Sequence, residues 1–450
     1  MRKRAARAAM VAAMVMVPAP AWALQPLSTF LAGASERNPD ARVARATIRQ
    51  RDAESKEQLS KLLPAFSARG VYTRNQFEAV ITLPGEAPLT IIPTNQVDAY
   101  LQLDVPIVDL SQFARYDASK LTNELADASR ELTDRQLKEK VIRAYYQLAA
   151  TSALIRSANT SLEASQKNSD FVKNRLSAGV IADLDLQRAL ANVEGARQDV
   201  ANAELSRVLA VRSLETLARV HPETPTSFPE DDLHEEAPLA TWLDHGRENL
   251  PELRVAEAQV AISDANFRAN KYAFLPSLAA QGVERVTNAT GFTGHAVFYT
   301  LTATLSWRFD LNVIAQKNAS EAAADVTAAQ ADGTRRATED AIVEAWSRIA
   351  ANIAKARAAR AQLRATHAAA TLTEDRYGIG AATQLDVTQA QRDDFAADVA
   401  RIQADLDLVQ ARAILRLASG VPITDGSPAP STPSPSSPSA SSNLPVRANP

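Results

Sequence analysis

RYGIGAATQLDVTQAQ, residues 376–391, restates RLSAGVIADLDLQRAL, residues 175–190. In each, an arginine is followed four positions on by a glycine and six further by an aspartate: Arg376, Gly380 and Asp386 against Arg175, Gly179 and Asp185. The offset is 201 residues, and DAS at 117–119 meets NAS at 318–320 at that same offset. A second correspondence lies upstream: residues 38–71 run without a gap on 250–283, pairing Pro39 with Pro251, Arg42 with Arg254, Pro64 with Pro276 and Gly70 with Gly282. Self-similarity at a long period signals a duplicated structural unit. The 450-residue chain therefore reads as two copies of one unit, the first carrying roughly ten extra residues around 81–95.

Each unit reads helix, strand, strand, very long helix, turn, helix. No proline occurs from 107 to 221 or from 277 to 421, and both stretches are rich in Ala, Leu, Gln, Glu and Arg, the composition of helix. The first repeat is expected at 24–217, with a hairpin at 65–108, a long helix at 112–176, a turn at 177–183 and a helix at 184–217. The second is expected at 250–420, with a hairpin at 277–310, a long helix at 313–377, a turn at 378–383 and a helix at 384–418. A proline-rich, acidic connector at 218–249 joins them, with one short helix near 239–247. The long helices span close to 100 Å at 1.5 Å per residue and need neighbours along their whole length to be stable. Phe395, Val399, Ile402, Leu406, Val409 and Ala413 alternate by four and three, the spacing of a packed helical seam.

The two ends differ from the rest. Arg2, Lys3, Arg4 and Arg7 precede an apolar run and then Ala21-Trp22-Ala23, the pattern of a cleaved signal peptide over 1–23. Loss of its four positive charges takes the formal net charge from −3 to −7, which leaves no basic footprint for nucleic acid. Residues 421–450 are mostly Pro, Ser, Ala and Thr and are expected to be disordered. There is no cysteine, and all four methionines fall inside the leader. Disulfides, thiolate metal sites and thioether ligation are thereby excluded from the mature chain, and no metal or cofactor is expected.

The strands point to a membrane. Val297, Tyr299, Leu301, Leu305, Trp307 and Phe309 alternate with polar residues, and Leu101, Leu103, Val105 and Ile107 repeat the pattern in the first unit. Alternation alone fits a sandwich edge equally well. Yet nothing else in the chain reads as sheet to cover such a face, whereas a face opposed to lipid needs no cover. Membrane strands must close into a barrel, and four strands per chain cannot. Two chains would give eight strands with a filled interior and three would give twelve with a lumen; three is the preferred reading. The expected fold class is mainly α with a transmembrane β-barrel: a long helical barrel plus four strands per chain, closing as twelve strands in a homotrimer.

The duplicated plan, LLP at 62–64 and FLP at 274–276 before the first strands, LSWRFDLN at 305–312 and the two R…G…D turns together resemble the outer-membrane efflux protein family, the TolC-like channels. The resemblance covers about 27–420. It implies a trimer whose barrel lies in the outer membrane and continues as a helical tunnel through the periplasm. It also implies a periplasmic adaptor protein and an inner-membrane transporter as partners, in a tripartite efflux pump or a type I secretion system. By the same likeness Asp185 and Asp386 face a constriction at the tunnel tip, where six carboxylates would favour cations. Arg175, Gly179, Arg376, Tyr377, Gly378 and Gly380 would form the exposed turns on which the adaptor docks. Gly378 and Gly380 suit the positive φ of a tight turn. Thr383 and Asp386 also have the spacing of a capping box. Where relatives can carry a second acidic residue and a basic one, this chain has Gln389 and Ala382.

Enzyme chemistry finds no support. His221, His234, His245, His295 and His367 are scattered, Asp393 and Asp394 lack a partner base, and no nucleophile elbow, zincin or phosphate-loop motif occurs. His234 and His245 read as part of a solvated loop. The rival to the channel is a soluble periplasmic helical-hairpin adaptor or scaffold, which would need no duplicated pair of strands with aromatic outer faces.

Overall fold

The computed structural model describes residues 24–421 apart from 83, 86, 87, 224, 226, 227, 229, 230 and 309. The expected leader at 1–23 and the tail beyond Val421 lie outside the described residues. In chain order the elements are α1 (Leu27–Arg37), α2 (Pro39–Ser60), β1 (Ala65–Arg74), β2 (Ala79–Ile81), β3 (Leu89–Ile92), β4 (Asn95–Val108), α3 (Leu110–Ser177) and α4 (Asp183–Ala218). The second half supplies α5 (Leu239–Asn249), α6 (Pro251–Tyr272), β5 (Ser277–Thr287), β6 (Val297–Ser306), α7 (Leu311–Gly378) and α8 (Gln384–Ala418).

Proline starts two of these helices. Pro39 and Pro251 occupy the first helical position of α2 and α6, where the missing N–H costs nothing. In the first half this breaks the expected single helix into α1 and α2. Asn38 caps the break: its side chain accepts from the Asp40 N–H at 2.8 Å and donates to the Leu217 carbonyl at 2.9 Å, tying the start of the repeat to its end.

The helices α3 and α7 have 68 residues each, or about 102 Å. Asp109 and Asp310 cap them, accepting from the N–H of Gln112 and Val313. Against α3 lie α2 and α6 at the sheet end and α4 and α8 at the other; against α7 lie α6 and α8, with α5 at mid-height. Short helices stacked on long ones bury apolar surface along the whole pillar, as cooperativity requires. Much of that surface is alanine, as in Ala149, Ala150, Ala153, Ala356 and Ala404, which allows close helix approach. The large side chains concentrate at mid-height. Leu27, Phe30, Ile142, Leu148 and Leu214 form one cluster, and Trp242, Leu250, Ile342, Ile349 and Leu408 form its counterpart in the other repeat. Each such side chain contributes about 1.5–3 kcal/mol of burial.

The two hairpins join into one antiparallel sheet in the order β1-β4-β5-β6. The extra residues of the first repeat form a separate two-stranded ribbon, β2 with β3, beyond the far end of that sheet. Among the described residues no helix is long and apolar enough to cross a membrane.

Candidate functional site

The two repeated phrases sit at the end of the molecule opposite the sheet, and hydrogen bonding explains their spacing. Gly179 and Gly380 adopt φ of +71° and +79°. Val180 N–H donates to Arg175 O and Gly179 N–H to Leu176 O; Ala381 N–H donates to Arg376 O and Gly380 N–H to Tyr377 O. These are paired 6→1 and 5→2 bonds of a helix C-terminus closed by a left-handed residue. Arginine four residues before glycine thus puts a cation in the last turn, where it complements the helix dipole. One left-handed residue suffices per turn. Gly378, expected to share the positive φ, is instead the last residue of α7 and is absent from the positive-φ glycines.

The aspartates follow on the next helix. Asp386 closes a full capping box: Thr383 N–H and Thr383 Oγ1–H donate to its Oδ2 at 2.8 and 2.7 Å, and its own N–H donates to Thr383 Oγ1 at 3.2 Å. The Thr383 backbone N–H, then its hydroxyl, hold the Asp386 carboxyl below its ordinary value, with a smaller contribution from Arg376. Asp185 also lies in the first turn of its helix, but Ala182 at the cap has no side chain to offer. Its carboxylate instead lies 3.7 Å from Arg188.

Tyr377 was expected on the exposed tip, but it is 6% exposed. With Val172, Ala189 and Val387 it forms a small core that joins the two turns. The aromatic ring is the largest apolar side chain in either phrase, and burying it between two helix ends favours the inward turn. Arg175 completes the joint: Nη1 donates to the Tyr377 carbonyl at 2.9 Å, and the guanidinium stacks on the rings of Phe171 and Tyr377. Burial pushes the Tyr377 phenol above its ordinary value, so it stays neutral. Arg376, Gly378 and Gly380 are exposed.

Above this core lies a polar layer that sequence reasoning missed. Buried Asn192 donates to Ser165 Oγ at 3.0 Å and to Gln391 Oε1 at 3.1 Å, Arg392 donates to Asn192 Oδ1 at 3.2 Å, and Gln391 donates to Glu374 Oε1 at 2.8 Å. It ties α3 and α4 to α7 and α8. The only signal in the residue order is polar side chains at positions that the helical period turns inward.

At the other end the sheet separates its faces by chemistry. Leu103 stands opposite Phe66 on one side and Gly282 on the other, Gly282 opposite Leu301, and Leu278 opposite Leu305. Partners in register share a face, so one face of all four strands is apolar. Leu101, Leu103, Ile107, Val297, Tyr299, Leu301, Leu305 and Trp307 are exposed there, Tyr299 by 76% and Trp307 by 69%; Val105 is half-buried. Phe309 lies outside the described residues. Glu284 is the one acidic residue on this face, between Leu101 and Tyr299. The opposite face is polar. Asp98 pairs with Arg285 at 2.7 Å, and Gln102 and Gln281 donate to Asp104.

The connector is more than a solvated loop. Arg412 of α8 is buried, donating to the His234 carbonyl at 2.7 Å and pairing with Asp231 and Glu236. His234 is accordingly half-buried, with Nε2 at 2.8 Å from Arg412. Asp231, Asp232 and His234 come within metal-ligand reach of one another, but Arg412 already supplies the positive charge there.

Comparison with known proteins agrees with this architecture. A relative named toluene efflux pump outer membrane protein TtgC, from Pseudomonas putida, is 26% identical over 385 residues, covering 81% of this chain and 76% of the relative. The crystal structure of the Campylobacter jejuni CmeC outer membrane channel superposes with a TM-score of 0.76 at 16% identity, covering 88% of this chain and 86% of that one. The open state of the Neisseria gonorrhoeae MtrE outer membrane channel does so with a TM-score of 0.70 at 19% identity, covering 89% and 90%. These likenesses show the fold. The family profile described as outer membrane efflux protein matches residues 31–218 and 242–421, so the chain belongs to the outer membrane efflux protein family.

Proposed function

We propose that three copies of this chain close into one passive exit duct through the outer membrane, gated at its helical tip. Membership of the family makes the protein an outer-membrane efflux channel and not an enzyme, and sets the soluble-adaptor reading aside. The observation that carries closure is a match between two free edges. One edge is made of α2, β1 and α4, the other of β6 and α7; each packs on its own chain principally from one side. Because β1, β4, β5 and β6 alternate in direction, β6 of one copy meets β1 of the next antiparallel. The ladder then continues without a bare edge, as hydrocarbon requires. Leu190, Leu205 and Leu209 on α4 and Val326 and Leu372 on α7 are exposed in the single chain and would be covered by the same closure.

Twelve strands leave a lumen to match a helical tunnel, whereas eight would be filled by side chains. Tyr299 and Trp307, eight residues apart on the apolar face, are separated by about 27 Å along the strand. Tilted, that span fits the aromatic-flanked apolar band of outer-membrane barrels. Lipid is the partner of that face. At the far end three copies of Asp185 and Asp386 would ring the opening and favour cations. A periplasmic adaptor would dock on the exposed turn residues Gly179, Arg376, Gly378 and Gly380 beside the half-buried Arg175, joining the duct to an inner-membrane transporter in an efflux pump or a type I secretion system.

The test is the mass and location of the full chain. A detergent-solubilised particle of three chains recovered from the outer-membrane fraction is expected. A water-soluble monomer would overturn the reading. In planar bilayers Asp386→Asn is expected to reduce cation preference, and an unchanged reversal potential counts against the acidic ring.

A further inference from the structure

The polar face of the sheet carries one level that conduction alone does not require. There Arg69 of β1, Tyr100 of β4, Arg285 of β5 and Phe298 of β6 stand in register, one on each strand. The Arg69 guanidinium lies 4.9 Å from the centroid of the Tyr100 ring, and that of Arg285 lies 5.6 Å from the same ring and 5.9 Å from the ring of Phe298. Cation and ring alternate across the full width of the sheet.

The two cations are not equivalent. Arg285 donates twice to Asp98 Oδ1, at 2.9 and 2.7 Å, while Gln96 donates to Asp98 Oδ2 at 2.7 Å. Both oxygens of that buried carboxylate are engaged. Arg69 is exposed and, among the described residues, has no ion pair; its guanidinium lies against the Tyr100 ring. Its strand is a sheet edge, and β6, the strand that closure would bring beside it, contains no acidic residue. Asp104, the next carboxylate on this face, lies four residues along β4 from Tyr100. That is about 13 Å at strand spacing, beyond the ~8 Å screening length of physiological salt.

We propose that this level is a binding site for planar aromatic anions, with a carboxylate or sulfonate on the Arg69 guanidinium and the ring system against Tyr100 and Phe298. Guanidinium matches such oxyanions bidentately, and flat rings stack on aromatic neighbours. The site rests on the duct reading for its place inside the lumen, but the four side chains belong to one chain.

The experiment follows fluorescence anisotropy of pyranine, a flat trisulfonated pyrene, on titration with the detergent-solubilised full chain, alongside the particle mass. Saturable binding is expected that weakens with added salt, falls about fivefold or more for Arg69→Gln and for Tyr100→Leu, and survives Tyr100→Phe. Two separate variants keep the test decisive if one fails to assemble. Absence of binding to the wild type at low salt, or unchanged affinity in an assembled Arg69→Gln or Tyr100→Leu protein, overturns the site. A monomeric particle that binds pyranine through Arg69 would instead sink the duct reading and leave the site standing.

Discussion

The turns at 178–182 and 379–383 close the same way and open differently. Both end their long helix on a left-handed glycine four residues after an arginine. The helix after the second turn begins with the Thr383–Asp386 box, while the helix after the first begins at Ala182 with no side-chain cap. Asp386 is therefore exposed but held by its own turn, whereas Asp185 is half-buried and directed toward Arg188. Duplication preserved the bonds that stop a helix and released those that start the next. The arginines diverged as well: Arg175 reaches across to the Tyr377 carbonyl, while Arg376 stays exposed beside Asp386.

The joint between the turns breaks most severely at Tyr377. Tyr377→Ala should cost about 3–5 kcal/mol of local stability, seen as lost hydrogen-exchange protection at the ends of α3 and α7. Tyr377→Phe should be nearly neutral, because the phenol oxygen is buried without a hydrogen-bond partner. Next comes the polar layer. Asn192→Ala leaves buried partners unpaired and should cost about 1–3 kcal/mol, read as earlier proteolysis at the tip than in wild type.

The difference in caps can be exchanged directly. Thr383→Ala should loosen the first turn of α8 by about 1 kcal/mol, and Ala182→Thr, which places a threonine three residues before Asp185, should tighten the first turn of α4 by up to about 1 kcal/mol. Amide protection in the two first turns should move in opposite directions. The smallest effect is that of acid. The Asp386 carboxyl is held below its ordinary value, so its contribution is complete above that value, near 4, and is lost as pH falls through the depressed one. Protection at the start of α8 should thus persist at pH 5 and fall in stronger acid, and Thr383→Ala, which keeps the larger backbone N–H contribution and loses the hydroxyl, should weaken that dependence without abolishing it.

Much of the site was legible in the residue order because its determinants are local. Arginine, glycine and threonine at fixed offsets specify their own turn bonds, and period-two alternation marks one apolar face, on which Leu301, Leu305 and Trp307 are exposed. The inward turn of Tyr377 was not legible, since it depends on Val172 and Ala189 of the other repeat. Nor was the burial of Arg412, whose partners Asp231 and Glu236 lie in the irregular connector.

Residue order alone set the duplication, the two long helices and the alternating strands, because backbone propensity and side-chain period act over a few neighbours. Packing alone decided that β4 pairs with β5 to merge two hairpins and that Asn192 meets Gln391. Those contacts join segments nearly two hundred residues apart, and only the folded chain brings their partners within hydrogen-bonding range.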